Sequence, residues 1–129
     1  MREIVFKAKR IDNGEWIIGN LVVSEDAEEG WKAIIIPTFD SNMFTKGGAK
    51  GDLGFENWHR VEENTICQYT GLTDKNGNKI WENDCIGHRL NKVEFLNGEW
   101  CVNGDRPLFS FANNCEVIGN VFDIKSFAR

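Results

Sequence analysis

The chain has 129 residues, 41% hydrophobic and 27% charged, which fits one globular domain burying roughly two thirds of its unfolded surface without metal or disulfide staples. A net charge of −5 counts against duplex DNA as the main ligand, because phosphate binding needs a concentrated positive surface. The longest strongly apolar run, Ala33 to Ile36, stops at Pro37, far short of a bilayer span, so no membrane partner is expected.

The N-terminus, MREIVFKAKR, interleaves charges where a signal peptide needs an unbroken apolar stretch, which predicts a cytoplasmic protein. Short runs rich in β-branched and aromatic residues then predict strands: Ile4 to Ala8, Trp16 to Val23, Lys32 to Ile36, Lys92 to Leu96, Trp100 to Val102 and Cys115 to Phe122. In the first, Ile4, Phe6 and Ala8 share one face while Glu3, Lys7 and Lys9 point outward. Asn-Gly pairs at Asn13, Asn76, Asn97 and Asn103 mark tight hairpins, because that dipeptide suits the two positive-φ positions of a type I′ turn. "NGEW" occurs twice, at Asn13–Trp16 and Asn97–Trp100, and reads as convergence on one hairpin type rather than a duplicated domain.

Helix signals are few. Ser24 to Trp31, SEDAEEGW, opens with a capping serine and acidic residues suited to a helix N-terminus, and a solvated acidic loop fits it equally well. Asp123 to Ala128 is a candidate for one terminal helical turn. Residues 38–57 hold four glycines without periodicity and read as a mobile loop, with an oligomer contact as the alternative. The fold expected is mainly β, or α+β with little helix: an N-terminal sheet followed by a small C-terminal SH3-like barrel built from "DCIGHRL", "NKVEFL", "EWCVN", "PLFSF" and "CEVIGNV".

Motifs that invite a chemical reading fail on their spacing. Asp74, Asn76 and Asn78 alternate as in a calcium loop, but position six is Lys79 and position twelve is Cys85, so a hairpin explains them better. In "GGAKGDLG" Lys50 precedes Gly51 and Asp52 follows, which places a carboxylate where a phosphate loop needs a hydroxyl. Cys67, Cys85, Cys101 and Cys115 form no close pair of the kind zinc requires, and read as small buried hydrophobes. Glu82, Asp84 and His88 share parity along a strand and are the candidate binding residues for a metal or a proton. On base rates an acidic hairpin flank beside a surface histidine outweighs that reading. His59 has no acid or nucleophile partner in the sequence, and no serine lies in a nucleophile elbow. No enzyme activity, metal or cofactor is expected. Five tryptophans and nine phenylalanines exceed what a small β core must hold, which points to aromatic anchors at an interface, with a wholly core placement weighing about equally.

"VEENTICQYTGLTDKNGNKIWENDCI", Val61 to Ile86, resembles the core signature of the YopX family, small proteins encoded by phages and prophages. "REIVFKAKRIDNGEWIIGNLV" and "NKVEFLNGEWCVNG … CEVIGNVFD" resemble that family's N- and C-terminal parts, with Ser24 to Asn57 the least matched. The chain departs from the family pattern at Asn83, where glycine is common, and at Cys85, where an aliphatic residue is common. The resemblance implies one domain over residues 1–129, a phage or prophage origin, and no established catalytic role. Its subregions are residues 1–60 with the N-terminal strands, 61–86 with the signature hairpin and 84–124 with the barrel-like strands. The function expected is a noncatalytic module that binds an unidentified host or phage protein and forms a homo-oligomer. Single-stranded nucleic-acid binding is the alternative.

Overall fold

The computed structural model of the chain describes residues 2–38, 43–44, 54–55, 57–88, 90–104 and 106–124. Among the described residues thirteen short strands run in order: β1 Phe6–Lys9, β2 Trp16–Val23, β3 Ala33–Pro37, β4 Met43–Phe44, β5 Gly54–Phe55, β6 His59–Arg60, β7 Cys67–Thr73, β8 Lys79–Trp81, β9 Asp84–Ile86, β10 Val93–Leu96, β11 Glu99–Val102, β12 Arg106–Pro107 and β13 Val117–Asn120. The helical content of the described residues is three 3₁₀ turns, at Glu63–Thr65, Leu108–Ser110 and Ala112–Asn114. The fold is mainly β. The chain forms two compact units, one of Val5–Ile66 and one of Met1–Ile4 with Cys67–Arg129.

In the N-terminal unit the strand order is β6-β3-β2-β1, every pair antiparallel. Register fixes which residues share a face, since directly opposed residues point the same way. Phe6, Ile17, Leu21 and Ile35 fall on the inner face, where Ala8, Ala33, Ile35 and Val61 form a buried core. Beyond β6 the chain crosses to the end of β1. The Val61 amide donates to the Ala33 carbonyl at 3.1 Å, and Val61 bridges Arg10. Ile4 does not join the strand; it is exposed, and Val5 is the buried residue at this end.

The acidic stretch after β2 is a hairpin loop and not a helix. Val23 pairs with Ala33, so the intervening residues must reverse the chain, and the Ser24 amide closes the loop on the Lys32 carbonyl at 2.7 Å. Gly30 takes φ +84°, outside the helical region. The loop expected over residues 38–57 lies largely outside the described residues, and so does the terminal helical turn beyond Ile124.

All four Asn-Gly pairs lie in hairpin connections, by two different geometries. Asn97-Gly98 and Asn103-Gly104 have positive φ at both residues, as a type I′ turn requires. At Asn13-Gly14 and Asn76-Gly77 only the glycine is left-handed. There the loop is one or two residues longer than at Asn97-Gly98, and the glycine follows a turn of ordinary hand, the three-residue G1-bulge pattern at Asn76-Gly77.

The C-terminal unit packs Ile80, Ile86, Val93, Val102, Leu108 and Ala112 into one core. Its strands pair as β7-β8, β9-β13 and β10-β11-β12, in open sheets in place of the expected closed barrel. The physical reason lies in "PLFSF". After Pro107 it forms a 3₁₀ turn, Leu108–Ser110, and a second follows at Ala112–Asn114; together they bury Leu108 and Ala112, with Phe109 exposed between them. All four cysteines are thiols, buried at Cys67, Cys85 and Cys101, in line with small core hydrophobes. Burial, helped by the Asp84 carboxylate, pushes the Cys85 thiol up to about 11, so it is inert at neutral pH.

Candidate interaction surface

The signature segment is built as a structural corner. Gly71, at φ +87°, sits in a bulge where β7 slips relative to β8 between Tyr69 and Thr73, and the Tyr69 and Trp81 rings meet at 5.7 Å. Asp74 is buried, and its carboxylate accepts three backbone N–H bonds: from Asn76 and Asn78 at 2.9 Å within the hairpin, and from Val117 at 2.9 Å. The Lys75 amide adds a bond to the Cys115 carbonyl at 2.9 Å. The residues that imitate a calcium loop therefore tie the β7–β8 hairpin to the approach to β13.

The Val117 amide, more than any other group, holds the Asp74 carboxyl below the usual carboxylate range. A depressed folded pKa contributes stability that is complete above the unfolded value, near pH 4, and is lost as pH falls through the folded value. Replacing Asp74 with Asn should therefore lower the urea midpoint at pH 7 and shrink the wild-type loss of stability below pH 4. Urea titrations from pH 7 to pH 2.5 would read both effects.

The candidate residues Glu82, Asp84 and His88 occupy different settings. Asp84 is buried, with Oδ2 accepting from the Trp81 amide at 2.8 Å and Oδ1 from the Asn120 side-chain amide at 3.0 Å. Glu82 Oε1 accepts from the Gln68 amide at 3.2 Å. His88 is exposed, and its Nδ1 accepts from the Leu90 amide at 3.1 Å. Among the described residues no group of three His, Cys, Asp or Glu side chains is placed to hold a metal ion. His59 has its pKa lowered, chiefly by burial and then by the Arg10 charge.

Asn83, where the resemblance leads one to expect glycine, takes a left-handed conformation that glycine adopts without strain. Its φ is +68°, its amide donates to the Val93 carbonyl at 2.8 Å, and its carbonyl accepts from Val121 at 2.9 Å. Both bonds are backbone bonds, so a glycine would keep them and relieve the left-handed penalty. Asn83→Gly should leave stability unchanged or raise it by up to about 1 kcal/mol, whereas Asn83→Val should lower it by about 1–2 kcal/mol. Thermal melts of the two variants beside the parent would decide this.

The arrangement that the signature does not contain is the outer face of the N-terminal sheet. Register places Lys7 opposite Ile18, Lys9 opposite Trp16, Ile36 opposite Asn20, Val22 opposite Ile34, and Arg60 beside Ile34, all on the side away from the core. Trp31 and Trp58 flank this face with their rings 6.4 Å apart, and the Arg60 guanidinium lies 4.4 Å from the Trp31 ring centre. At the other edge the Lys7 and Lys9 ammonium groups lie 4.6 and 5.4 Å from the Trp16 ring centre. Ile18, Val22 and Trp58 are each 47% exposed and Trp31 is 51% exposed. Val22, Ile34, Ile36, Trp31 and Trp58 line an open, mainly apolar groove of about 460 Å³.

Charge is sorted on this face. In a chain of net charge −5, the paired outward positions of β1, β2, β3 and β6 carry Lys7, Lys9 and Arg60 and no carboxylate. An apolar centre ringed by tryptophan and cations has the composition of a protein interface. A groove of about 430 Å³ in the C-terminal unit has no such sorting, mixing Arg2, Glu3 and Glu99 with Tyr69, Phe95 and Trp100. A signal for the sheet face does exist in the sequence. "WIIGNLVV" and "AIIIP" are apolar at both parities, where a sheet wetted on one side would alternate.

The family model described as YopX protein matches residues 6–124. No curated protein matches the chain. The crystal structure of protein EF1440 from Enterococcus faecalis is similar in fold, with a TM-score of 0.61, 21% sequence identity and 94% of each chain covered. No helix among the described residues is long and apolar enough to cross a membrane.

Proposed function

The chain belongs to the YopX family, whose function is generally unknown, and from that premise we propose that it is a noncatalytic interaction module of phage or prophage origin, acting in the bacterial cytoplasm through the outer face of its N-terminal sheet. One observation carries the reading: the apolar, acid-free face of β1, β2, β3 and β6, with Ile18, Val22, Trp31 and Trp58 about half exposed. A polypeptide partner is favoured because the centre of the face is aliphatic apart from Asn20, and the cations lie toward its edges. Such a centre gains by excluding water from Val and Ile side chains, at roughly 25 cal/mol per Å² of apolar surface covered.

Single-stranded nucleic acid is the second reading, supported by Lys7 and Lys9 over Trp16 and by Arg60 over Trp31, since bases stack on aromatic rings beside cations. The aliphatic centre counts against it, because bases need ring faces there.

The test is a tagged pull-down from host lysate, uninfected and phage-infected, split into nuclease-treated and untreated halves, with Val22→Glu run in parallel. Val22 points outward, away from the core, so the variant should still fold. A stoichiometric polypeptide that survives nuclease and is absent with Val22→Glu, whether a host or phage protein or an untagged copy of this chain, is the expected result. Equal capture by parent and variant would remove this face from the function, and material lost on nuclease treatment would favour the second reading.

A further inference from the structure

We infer that the outer sheet face is closed by a second copy of this chain, sheet against sheet about a two-fold axis, with Lys7 and Lys9 of one copy against the acidic Glu25–Glu29 loop of the other. The inference rests on the interaction reading above and names the partner. Its first support is composition. β2 and β3 are apolar toward both faces, as in strands covered on both sides, yet only the inner face has a core within the unit.

Its second support is the placement of charge along β2. Lys7 and Lys9 lie abreast of Ile18 and Trp16, where β2 begins. The loop that follows Val23, where β2 ends, carries Glu25, Asp26, Glu28 and Glu29, all exposed. Ser24, Trp31 and Lys32, which bound that loop, line the groove on the outer face, so the acids rim the same surface that the lysines rim from the opposite end. At about 3.3 Å per residue the two ends of β2 are about 23 Å apart, further than a Debye length of about 8 Å at physiological salt. Within one copy these charges are largely screened from one another.

A two-fold contact uses the same patch on both partners, so residue i meets j and j meets i. An axis lying between the sheets and across the strands exchanges the two ends of β2. It sets lysines on acids twice and lays Ile18, Val22, Ile34 and Ile36 of the two copies together, in the aligned packing of sheets about 10 Å apart. An axis along the strands would instead set lysines on lysines and acids on acids. The charge pattern selects the first arrangement. Glu29 also pairs with Lys32 of its own loop at 3.1 Å, which leaves Glu25, Asp26 and Glu28 as the main acids toward the partner.

Sedimentation equilibrium on the full chain tests this through charge reversal. The parent should dimerise. Lys7→Glu with Lys9→Glu should raise the dimer dissociation constant about tenfold or more, and so should Glu25→Lys with Glu28→Lys. The four substitutions together should restore it to within about threefold of the parent, since the pairing is then reversed but intact. Weakening without recovery in the combined variant would overturn the pairing. A parent still monomeric at about 100 μM, far above the dissociation constant of a specific dimer, would overturn the second copy as occupant. In that case a host protein or a fluorescent single-stranded oligonucleotide that binds the parent but not Val22→Glu would identify another occupant, and the interaction reading would stand. A monomer whose binding ignores Val22→Glu would end both.

Discussion

Gly19→Ala is expected to destabilise the chain by about 3 kcal/mol or more, enough to leave much of it unfolded at 37 °C, because overpacking against main chain cannot relax by a rotamer change. Gly19 sits in the middle of β2, buried, with Phe6 opposite on one side and Pro37 on the other. A Cβ built there would overlap the Ile36 carbonyl oxygen, and it would lie 2.7 Å from the Ile36 carbonyl carbon and 2.9 Å from the Pro37 Cα. Glycine inside a strand marks such a close approach of backbones. Relieving the overlap means pushing β3 away from β2, which opens the core of Ala8, Ala33, Ile35 and Val61 from its edge. Urea unfolding followed by tryptophan fluorescence reads the effect. An unfolding free energy within about 1 kcal/mol of the parent's would mean that β2 and β3 stand further apart than this packing requires.

How much of this was legible in the sequence depends on the range of the interaction that decides each feature. The Asn-Gly hairpins were legible because turn chemistry is local: the dipeptide itself supplies the residues that tolerate positive φ. The inner face of β1 was legible from Phe6 and Ala8, but not its start, because Val5 rather than Ile4 is buried. The closed barrel was not, because "PLFSF" has the composition of a strand, yet Leu108 packs into the core from a 3₁₀ turn, as Ala112 does from the turn that follows.

The candidate site divides the same way. Glu82, Asp84 and His88 were singled out by strand parity, yet parity breaks at the Glu82-Asn83 turn between β8 and β9, where Asn83 is left-handed. Asp84 then turns inward while His88 is exposed. Lys7, Lys9, Trp16 and Arg60 were each visible as residues, but nothing local says that four strands bring them onto one face. That placement comes from register, and register comes from long-range pairing.

Asp84→Ala is the second large effect, expected to cost about 3 kcal/mol, because it strands buried donors rather than merely removing a contact. The Trp81 amide and the Asn120 side-chain amide both donate to this carboxylate, at 2.8 and 3.0 Å, and both residues are buried. Asn120 also donates to the Glu82 carbonyl at 3.3 Å and accepts from the Phe122 amide at 3.1 Å, so one side chain ties the β8–β9 turn to the end of β13. Asn120→Ala alone should cost about 2 kcal/mol. The double variant should cost less than the sum, by about 1 kcal/mol or more, because the carboxylate and the amide then vanish together and neither is left seeking the other. A double-mutant cycle from urea midpoints measures that difference. Strict additivity would mean that the two side chains do not act as a unit. A loss under about 1 kcal/mol for Asp84→Ala would mean that water reaches the Trp81 amide, and that the corner formed by the signature segment is held by its apolar contacts alone.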